Sequence, residues 1–376
     1  MSSWQEYSLG ELLPYEQPTP YIVESTDYND NYTTPVLTAG KSFIIGYTNE
    51  PNGIYDKVPV IIFDDFTTST QYVNFPFKVK SSAMKILTAK ADLVLPKFIF
   101  YRMQLIEFDH STHKRYWIQQ YSKIKVRIPL LKEQERIVEK VEELFSELDS
   151  GVETLKKTKQ QLAVYRQAVY ASVYTENDMR PITDFFEISS GLTKNSKRNE
   201  LPIKRPYLRV ANVYYNKLDL SEIKSIGVNE NEITKTTLKQ DDLLFVEGNG
   251  SKEQIGRVAI WDGSIEGCLH QNHIIKGRPL GQMLPQYALF YLISVYGRKQ
   301  ILEVAASTSG LYTLSANKVR NLRIPFLDSE KQKQCVSLIK ERLSVCDSIE
   351  KTVDAALQQA EAMRQSILKK AFEGDL

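Results

Sequence analysis

The chain has 376 residues, 42% hydrophobic and 25% charged, an ordinary globular composition for about two to three domains. No run of about 18 apolar residues is present to span a membrane, and the start, MSSWQEYSLGELLPYEQ, has neither the basic nor the apolar region of a secretion signal. Net charge is +2, too near neutrality to announce a nucleic-acid binder, and three cysteines without a CxxC (Cys268, Cys335, Cys346) fit a reducing cytoplasm and argue against a disulfide scaffold or a zinc knuckle.

Residues 1–129 read as a first β-rich globule, with strand candidates at 42–47, 58–63 and 71–79 and 13 basic against 13 acidic groups. LPKFIFYRM (95–103) reads as a helix opened by proline. PVLTAGKS (35–42) approaches a phosphate-binding loop, and VPVIIFDD (58–65) the strand and acid that would follow it. That chemistry needs a helix after the lysine, so that its N-terminal N–H groups hold phosphate. Here Pro35 takes the first glycine position and FIIGYTNEPNG reads as a strand and turn, so nucleotide hydrolysis is set aside.

Residues 130–179 read as a long helix, with apolar residues at Ile137, Val141, Leu144, Leu148, Leu155, Leu162, Tyr165 and Val169. Val141, Leu148, Leu155, Leu162 and Val169 form one unbroken heptad row, the seam of a coiled coil. Gly151 and Thr158 in the companion row would let two backbones approach closely, although Gly151 costs about 1 kcal/mol against alanine.

Residues 180–325 read as a second globule, basic at 20 against 14, with strand candidates at 243–247, 256–261 and 272–276. LPQYALFYLISVYGRKQIL (284–302) reads as one proline-opened helix, and polar loops at 190–201 and 248–254 suit contacts with a ligand. Residues 326–376 read as a second long helix. It opens on a capping-box pattern, Ser329 with Gln332, and stops at Gly374.

The two long helices repeat one another. Shifted by 198, Val138 meets Val336, Glu143 meets Glu341, Asp149 meets Asp347, Thr154 meets Thr352, Gln160 meets Gln358 and Arg166 meets Arg364. RIPLLKEQ (127–134) parallels RIPFLDSEKQ (323–332) with two residues inserted. The heptad row becomes Ile339, Cys346, Val353, Ala360 and Ile367, again apolar. Outside the helices LPKFIFY echoes LPQYALFY. More loosely, YTTPVLTAG (32–40) answers KRPYLRVAN (204–212), and VPVIIFDD answers DDLLFVEG (241–248). Helices of some 40 residues, roughly 60 Å long, exceed what a compact domain needs, so the stripes pack on each other. Connectivity makes that pairing antiparallel. The expected class is α+β: two pseudo-symmetric β-rich domains joined by two long helices in an antiparallel coiled coil. One chain then imitates a symmetric dimer, which suits a ligand with its own approximate dyad, duplex DNA above all.

Catalytic signatures are missing: no GxSxG, no GxGxxG after a strand, and no Asn/Asp-Pro-Pro-aromatic stretch for methylating a base. The four histidines form two HxxH pairs, His110/His113 and His270/His273. On a strand, residues three apart face opposite ways, which spoils chelation, and no metal site is expected.

The residues at this point resemble a family. IPLLKEQERIVEKVEELFSELDSGVETL, IPFLDSEKQ and MRQSILKKAFEGDL are similar to the two conserved regions of type I restriction–modification specificity subunits. PYLRVANV (206–213), LLFVEGNGSKEQIGRVAIW (243–261) and HQNHIIKGR (270–278) resemble a target-recognition domain of that family; the first globule matches mainly by position and by PVLTAGKSFIIGY. The resemblance implies a non-catalytic DNA-reading subunit. Target-recognition domains at 1–129 and 180–325 would each read half of a bipartite site in double-stranded DNA. The helices would set the spacer, and two modification subunits carrying S-adenosylmethionine would bind, with ATP- and Mg-dependent restriction subunits able to join. The chain itself would hold no cofactor and work in the cytoplasm. The competing expectation is a coiled-coil scaffold with two protein-binding heads and no DNA recognition; a stand-alone DNA binder without partners is a third.

Base reading calls for Asn/Gln on adenine and Arg/Lys on guanine, and phosphate contacts call for hydroxyls and cations. In the first globule the candidates are Thr67, Thr68, Ser69, His110, Ser111, Thr112, His113, Lys114 and Arg115. In the second they are Lys194, Asn195, Arg209, Asn212, Asn249, Ser251, Lys252, Gln271, Asn272, Ser309 and Tyr312.

Overall fold

A computed structural model describes residues 4–38, 40, 42–108, 115–174, 178–248, 254–306 and 312–374. The chain divides into two compact units, Met1–Leu155 with Ala355–Leu376, and Lys156–Asp354.

The first unit holds a globule built around Val60–Asp64. That strand is central in a four-stranded sheet of spatial order Tyr15–Glu16, Met84–Leu87, Val60–Asp64, Thr70–Val73. Its side chains alternate, and both faces are buried. Ile61 and Phe63 join a core with Leu9, Leu12, Phe98, Trp117 and Tyr121. Val60 and Ile62 join a second core with Leu37, Phe77 and Val79. The second core is shared with a three-stranded sheet, Ile44–Thr48, Thr34–Leu37, Lys78–Val79, whose last pair is parallel. The phosphate-loop look-alike is therefore the hairpin between Thr34–Leu37 and Ile44–Thr48. The predicted strand over 71–79 divides in two, Thr70–Val73 and Lys78–Val79, because Pro76 lacks the N–H that would continue the ladder.

The second unit repeats this plan. Its four-stranded sheet runs Phe186–Ser190, Ile274–Pro279, Leu243–Val246, Val258–Ile260, and its three-stranded sheet Lys224–Val228, Ile203–Leu208, Leu269–His270. Alternation recurs: Leu243 and Phe245 face one core, Leu244 and Val246 another. Thr34–Leu37 and Ile203–Leu208 occupy the same central place in their sheets, as do Val60–Asp64 and Leu243–Val246. The single helix expected over 284–302 is two, Pro285–Ile293 and Val295–Ala305. Ser294 is extended between them and its Oγ caps the Gly297 N–H. The turn is tight enough that a side chain at Gly297 would meet the Tyr291 carbonyl.

The long helices run Leu131–Ala171 and Ser329–Glu373. In the second unit, Lys159 pairs with Asp354 (2.7 Å), and Arg166 with Asp347 and Glu350 (2.7 Å each). A step forward along one helix is thus a step backward along the other, which makes the pairing antiparallel. In the first unit, Arg364 pairs with Asp149, and Ile137 and Val141 share a core with Leu368 and Ala371. Along the seam Val141, Leu162, Val169, Ile339, Cys346, Val353 and Ala360 are buried, while Leu148, Leu155 and Ile367 are half-buried. Two expectations change. Tyr165 lies exposed, outside the seam, and Gly151 is not a point of close approach, since a Cβ there meets nothing within 4 Å.

The start of the second long helix also differs from expectation. Asp328 is the cap, its Oδ1 accepting the Lys331 N–H at 3.0 Å, and Ser329 is the first helical residue. The Gln332 side chain is engaged elsewhere. Gly374 ends the helix as expected, at φ +88, with its N–H on the Lys370 carbonyl.

Candidate nucleic-acid interface

In each unit the strand order delivers a set of loops to one corner of the four-stranded sheet. In the first unit the chain leaves Val60–Asp64 into a turn at Phe66–Ser69. The Asp64 Oδ1 accepts the N–H groups of Phe66 (2.9 Å) and Thr67 (2.8 Å), and Thr68 sits in the left-handed region at φ +55. A β-branched residue there is strained. Phe66 is exposed. Arg115 is exposed beside the same corner, because the next two residues are anchored to Asp65. Its carbonyl accepts the Tyr116 N–H and its Oδ1 the Trp117 N–H (2.8 Å). His110, Ser111, Thr112, His113 and Lys114 lie outside the described residues.

In the second unit the chain leaves Leu243–Val246 at Glu247 and Gly248, and Asn249, Ser251 and Lys252 lie outside the described residues, as does Ser309. Gly248 bridges Thr313, and the Leu314 N–H bonds the Glu247 carbonyl, which seats Tyr312 at the corner. Gln271 and Asn272 join it: Gln271 bridges Leu192, and the Asn272 N–H bonds the Leu192 carbonyl at 2.9 Å. Lys194 and Asn195 follow in chain order and are exposed. Asn195 caps a short 3₁₀ turn at Ser196–Glu200, its Oδ1 accepting the Arg198 N–H. Arg198 holds that loop through Glu232 and the Gly227 carbonyl.

Two candidates are engaged within the fold. Asn212 is only 3% exposed; its Oδ1 accepts the Arg209 N–H, and its amide donates to the Asp219 and Glu222 carbonyls. No free edge remains for a base, which corrects the expectation for Asn212. Arg209 is tied to the Glu222 carboxylate (3.0 Å) and carbonyl. Its Nη2 thereby braces the loop at 219–222.

Sequence reasoning missed one stretch. Lys80, Ser81 and Ser82 occupy in the first unit the place of Gln271–His273. The Lys80 N–H bonds the Leu37 carbonyl as the Gln271 N–H bonds the Leu208 carbonyl. All three are exposed. Only the shared sheet order reveals the equivalence.

His270 and His273 split as strand geometry requires. His270 is fully buried, with Nδ1 donating to the Ile274 carbonyl at 2.8 Å and Nε2 without a partner among the described residues, whereas His273 is exposed and bonds Glu247. Burial, reinforced by Lys276 and Arg278, drives the His270 pKa down to about 4, so the ring is neutral. Among the described residues no group of three or more His, Cys, Asp or Glu is placed to hold a metal.

Comparison with known proteins places the chain in a family. The model of the type I restriction modification DNA specificity domain matches residues 1–162 and again 174–359. The chain belongs to that family. It is 31% identical over 363 residues to the EcoR124I/EcoR124II specificity subunit of Escherichia coli, covering 91% of this chain and 87% of that one. It is 29% identical to the EcoKI specificity subunit of E. coli K12 over 67% of this chain and 58% of that one. A solved chain from a study of assembly and conformational transition of the type I system superposes with a TM-score of 0.72 at 15% identity, over 99% of this chain and 98% of that one. The HsdS subunit of Thermoanaerobacter tengcongensis gives 0.51 at 16%, over 99% and 97%. These structural likenesses carry the fold. The specificity subunit therefore has two recognition domains, one per repeat, and is the DNA-recognition component rather than a catalytic one. The protein-scaffold alternative finds no support in these relatives. No helix among the described residues is long and apolar enough to cross a membrane.

Proposed function

We propose that residues 1–129 and 180–325 are target-recognition domains that each read one half of a bipartite duplex target. The loop corners of the two four-stranded sheets are the reading edges. In the first domain the reading set is Thr67, Thr68, Ser69 and Arg115, joined by Lys80, Ser81 and Ser82, with 110–114 completing it. In the second it is Lys194, Asn195, Gln271, Asn272 and Tyr312, with Asn249, Ser251, Lys252 and Ser309. The observation that carries this reading is the recurrence of one corner, built by the same strand order, in both halves of a chain that matches the specificity family twice. The helical regions 130–179 and 326–376 act as the ruler that sets the unspecified spacer. The subunit is cytoplasmic and works with modification subunits that supply S-adenosylmethionine; restriction subunits using ATP and Mg join the same assembly.

The test is selection from a randomised duplex pool by the assembled complex, followed by titration of the enriched sequence. Asn272→Ala should relax one base position, worth about 1–3 kcal/mol of discrimination. Lys252→Ala should weaken binding to every sequence and reduce the salt slope by roughly 0.9. Unchanged titrations for both variants would remove the second corner from the interface.

A further inference from the structure

Gln134 and Gln332 stand 198 apart, near the start of each long helix, and both are buried, at 0% and 1% exposure. Each makes the same three bonds. The Gln134 Oε1 accepts the Leu95 N–H at 2.8 Å, and its Nε2 donates to the carbonyls of Leu93 and Pro129 at 2.9 Å each. The Gln332 Oε1 accepts the Leu284 N–H at 2.7 Å, and its Nε2 donates to the carbonyls of Gln282 (3.4 Å) and Leu327 (2.7 Å). The partners sit at identical offsets. One is the residue before the proline that opens Pro96–Met103 or Pro285–Ile293, one lies two residues earlier, and one lies five residues before the glutamine itself.

Chemistry explains why a glutamine serves here. Proline at the first helical position offers no N–H, so the amide just before it stands alone at a half-buried helix start. A primary amide accepts that N–H and donates twice from one side chain, which neither a carboxylate nor a hydroxyl can do. Its neighbours are not held in common: Leu131 faces Ser329, Glu135 faces Lys333 and Ile137 faces Cys335 across the repeat. The bonding pattern is therefore retained where the surrounding side chains have changed. The three bonds tie the helix of the globule, the end of the strand leaving it and the first turns of the long helix into one joint.

Resting on the reading that the long helices are a spacer ruler, we infer that Gln134 and Gln332 are positioning residues that lock the angle of each recognition domain on its helix, and so sharpen the spacer length the subunit accepts. Neither touches DNA in this role.

The experiment is selection from a randomised duplex pool with the complete complex, reading half-site sequences and spacer lengths separately. The wild type should return two half-sites at one spacer; a wild type that returns no bipartite sequence would defeat the ruler reading itself. Gln332→Leu keeps the volume and removes the bonds. It should return the same half-sites, with duplexes one base pair (~3.4 Å) longer or shorter enriched about tenfold over wild type. Gln332→Glu keeps the acceptor for the Leu284 N–H and should broaden the spacer less. Gln134→Leu repeats the test at the other joint. A single unchanged spacer in all three variants overturns the inference. So does loss of the half-site sequences in all three, since the glutamines would then hold the domain's fold and not its angle.

Discussion

The two recognition domains share a skeleton and differ in what they bury inside it. Strand order, the alternation of the central strand between two cores, and the glutamine joint are common to both. The buried charges are not. The first domain places Asp65 just after its central strand, with Lys85 at 3.1 Å, both side chains 1% exposed. The second places Asp242 just before its central strand, fully buried, and holds it with Arg278, whose guanidinium is partly exposed (3.0 and 2.8 Å), and with the Lys239 N–H. The frame is set by apolar alternation, which tolerates many sequences, so the polar interior is free to differ. In the proposed function that division is useful, since two unlike half-targets need equal frames and unequal edges.

The largest expected effect breaks the comparison at those carboxylates. Asp65→Ala leaves the buried Lys85 charge with a neutral acceptor, the Gln17 Oε1 at 3.2 Å, in place of its counter-ion, frees the Trp117 N–H, and should cost about 3–5 kcal/mol. Asp242→Ala leaves Arg278 able to turn toward solvent and should cost less, about 1–3 kcal/mol. In variants that keep one tryptophan of the three, Trp117 reports on the first domain and Trp261 on the second, the latter through its N–H on the Asp242 carbonyl. Following both by fluorescence during thermal unfolding of the whole chain checks the order, and equal losses would show that the two burials are equivalent after all.

A smaller effect depends on one substituted position. By pairing to the central strand, His270 stands where the first domain has Val79: Leu208 pairs with His270 as Leu37 pairs with Val79. The histidine pKa is lowered from 6.5 to about 4 in the folded domain. The unfolded chain then binds more protons between those values. This contribution is full above pH 6.5 and is lost as pH falls toward 4, amounting to about 3 kcal/mol. His270→Val should flatten that slope for the Trp261 transition and leave the Trp117 transition unchanged. An unaltered slope in the variant would place the acid sensitivity elsewhere.

The long helices were legible because a heptad row is a local, repeated pattern, and the 198-residue shift exposed both copies. The loose pairing of VPVIIFDD with DDLLFVEG pointed to equivalent strands because continuous apolar runs mark strands buried on both faces. The corners were legible only in part. Gln271 and Asn272 stood out as amides able to read adenine, within a stretch read as starting a strand at 272, but Lys80–Ser82 became their counterpart only through strand order. Asn212 misled because a polar side chain saturated by distant carbonyls looks, in sequence, like a free one. Gln332 misled for the same reason: the spacing of a capping box says nothing of the Leu284 N–H waiting 48 residues away.

The smallest effect sharpens the comparison along the helices. Asp149 and Asp347 are repeat mates, each paired to the arginine of the opposite helix, Arg364 and Arg166. These pairs are solvent-exposed, so each should contribute only about 0–1 kcal/mol. They are not equal, however. Arg166 keeps Glu350 at 2.7 Å when Asp347 is removed, whereas among the described contacts Arg364 is left with the Phe145 ring, whose face lies 4.2 Å from the guanidinium carbon. Asp149→Ala should therefore cost more than Asp347→Ala, and raising the salt concentration should shrink the difference, since screening acts on the ion pair more than on the ring contact. Denaturant midpoints for the two variants at low and high salt measure this directly. A larger loss for Asp347→Ala would mean that Glu350 does not substitute, and that the two ends of the repeat are held together by different means than their shared residues suggest.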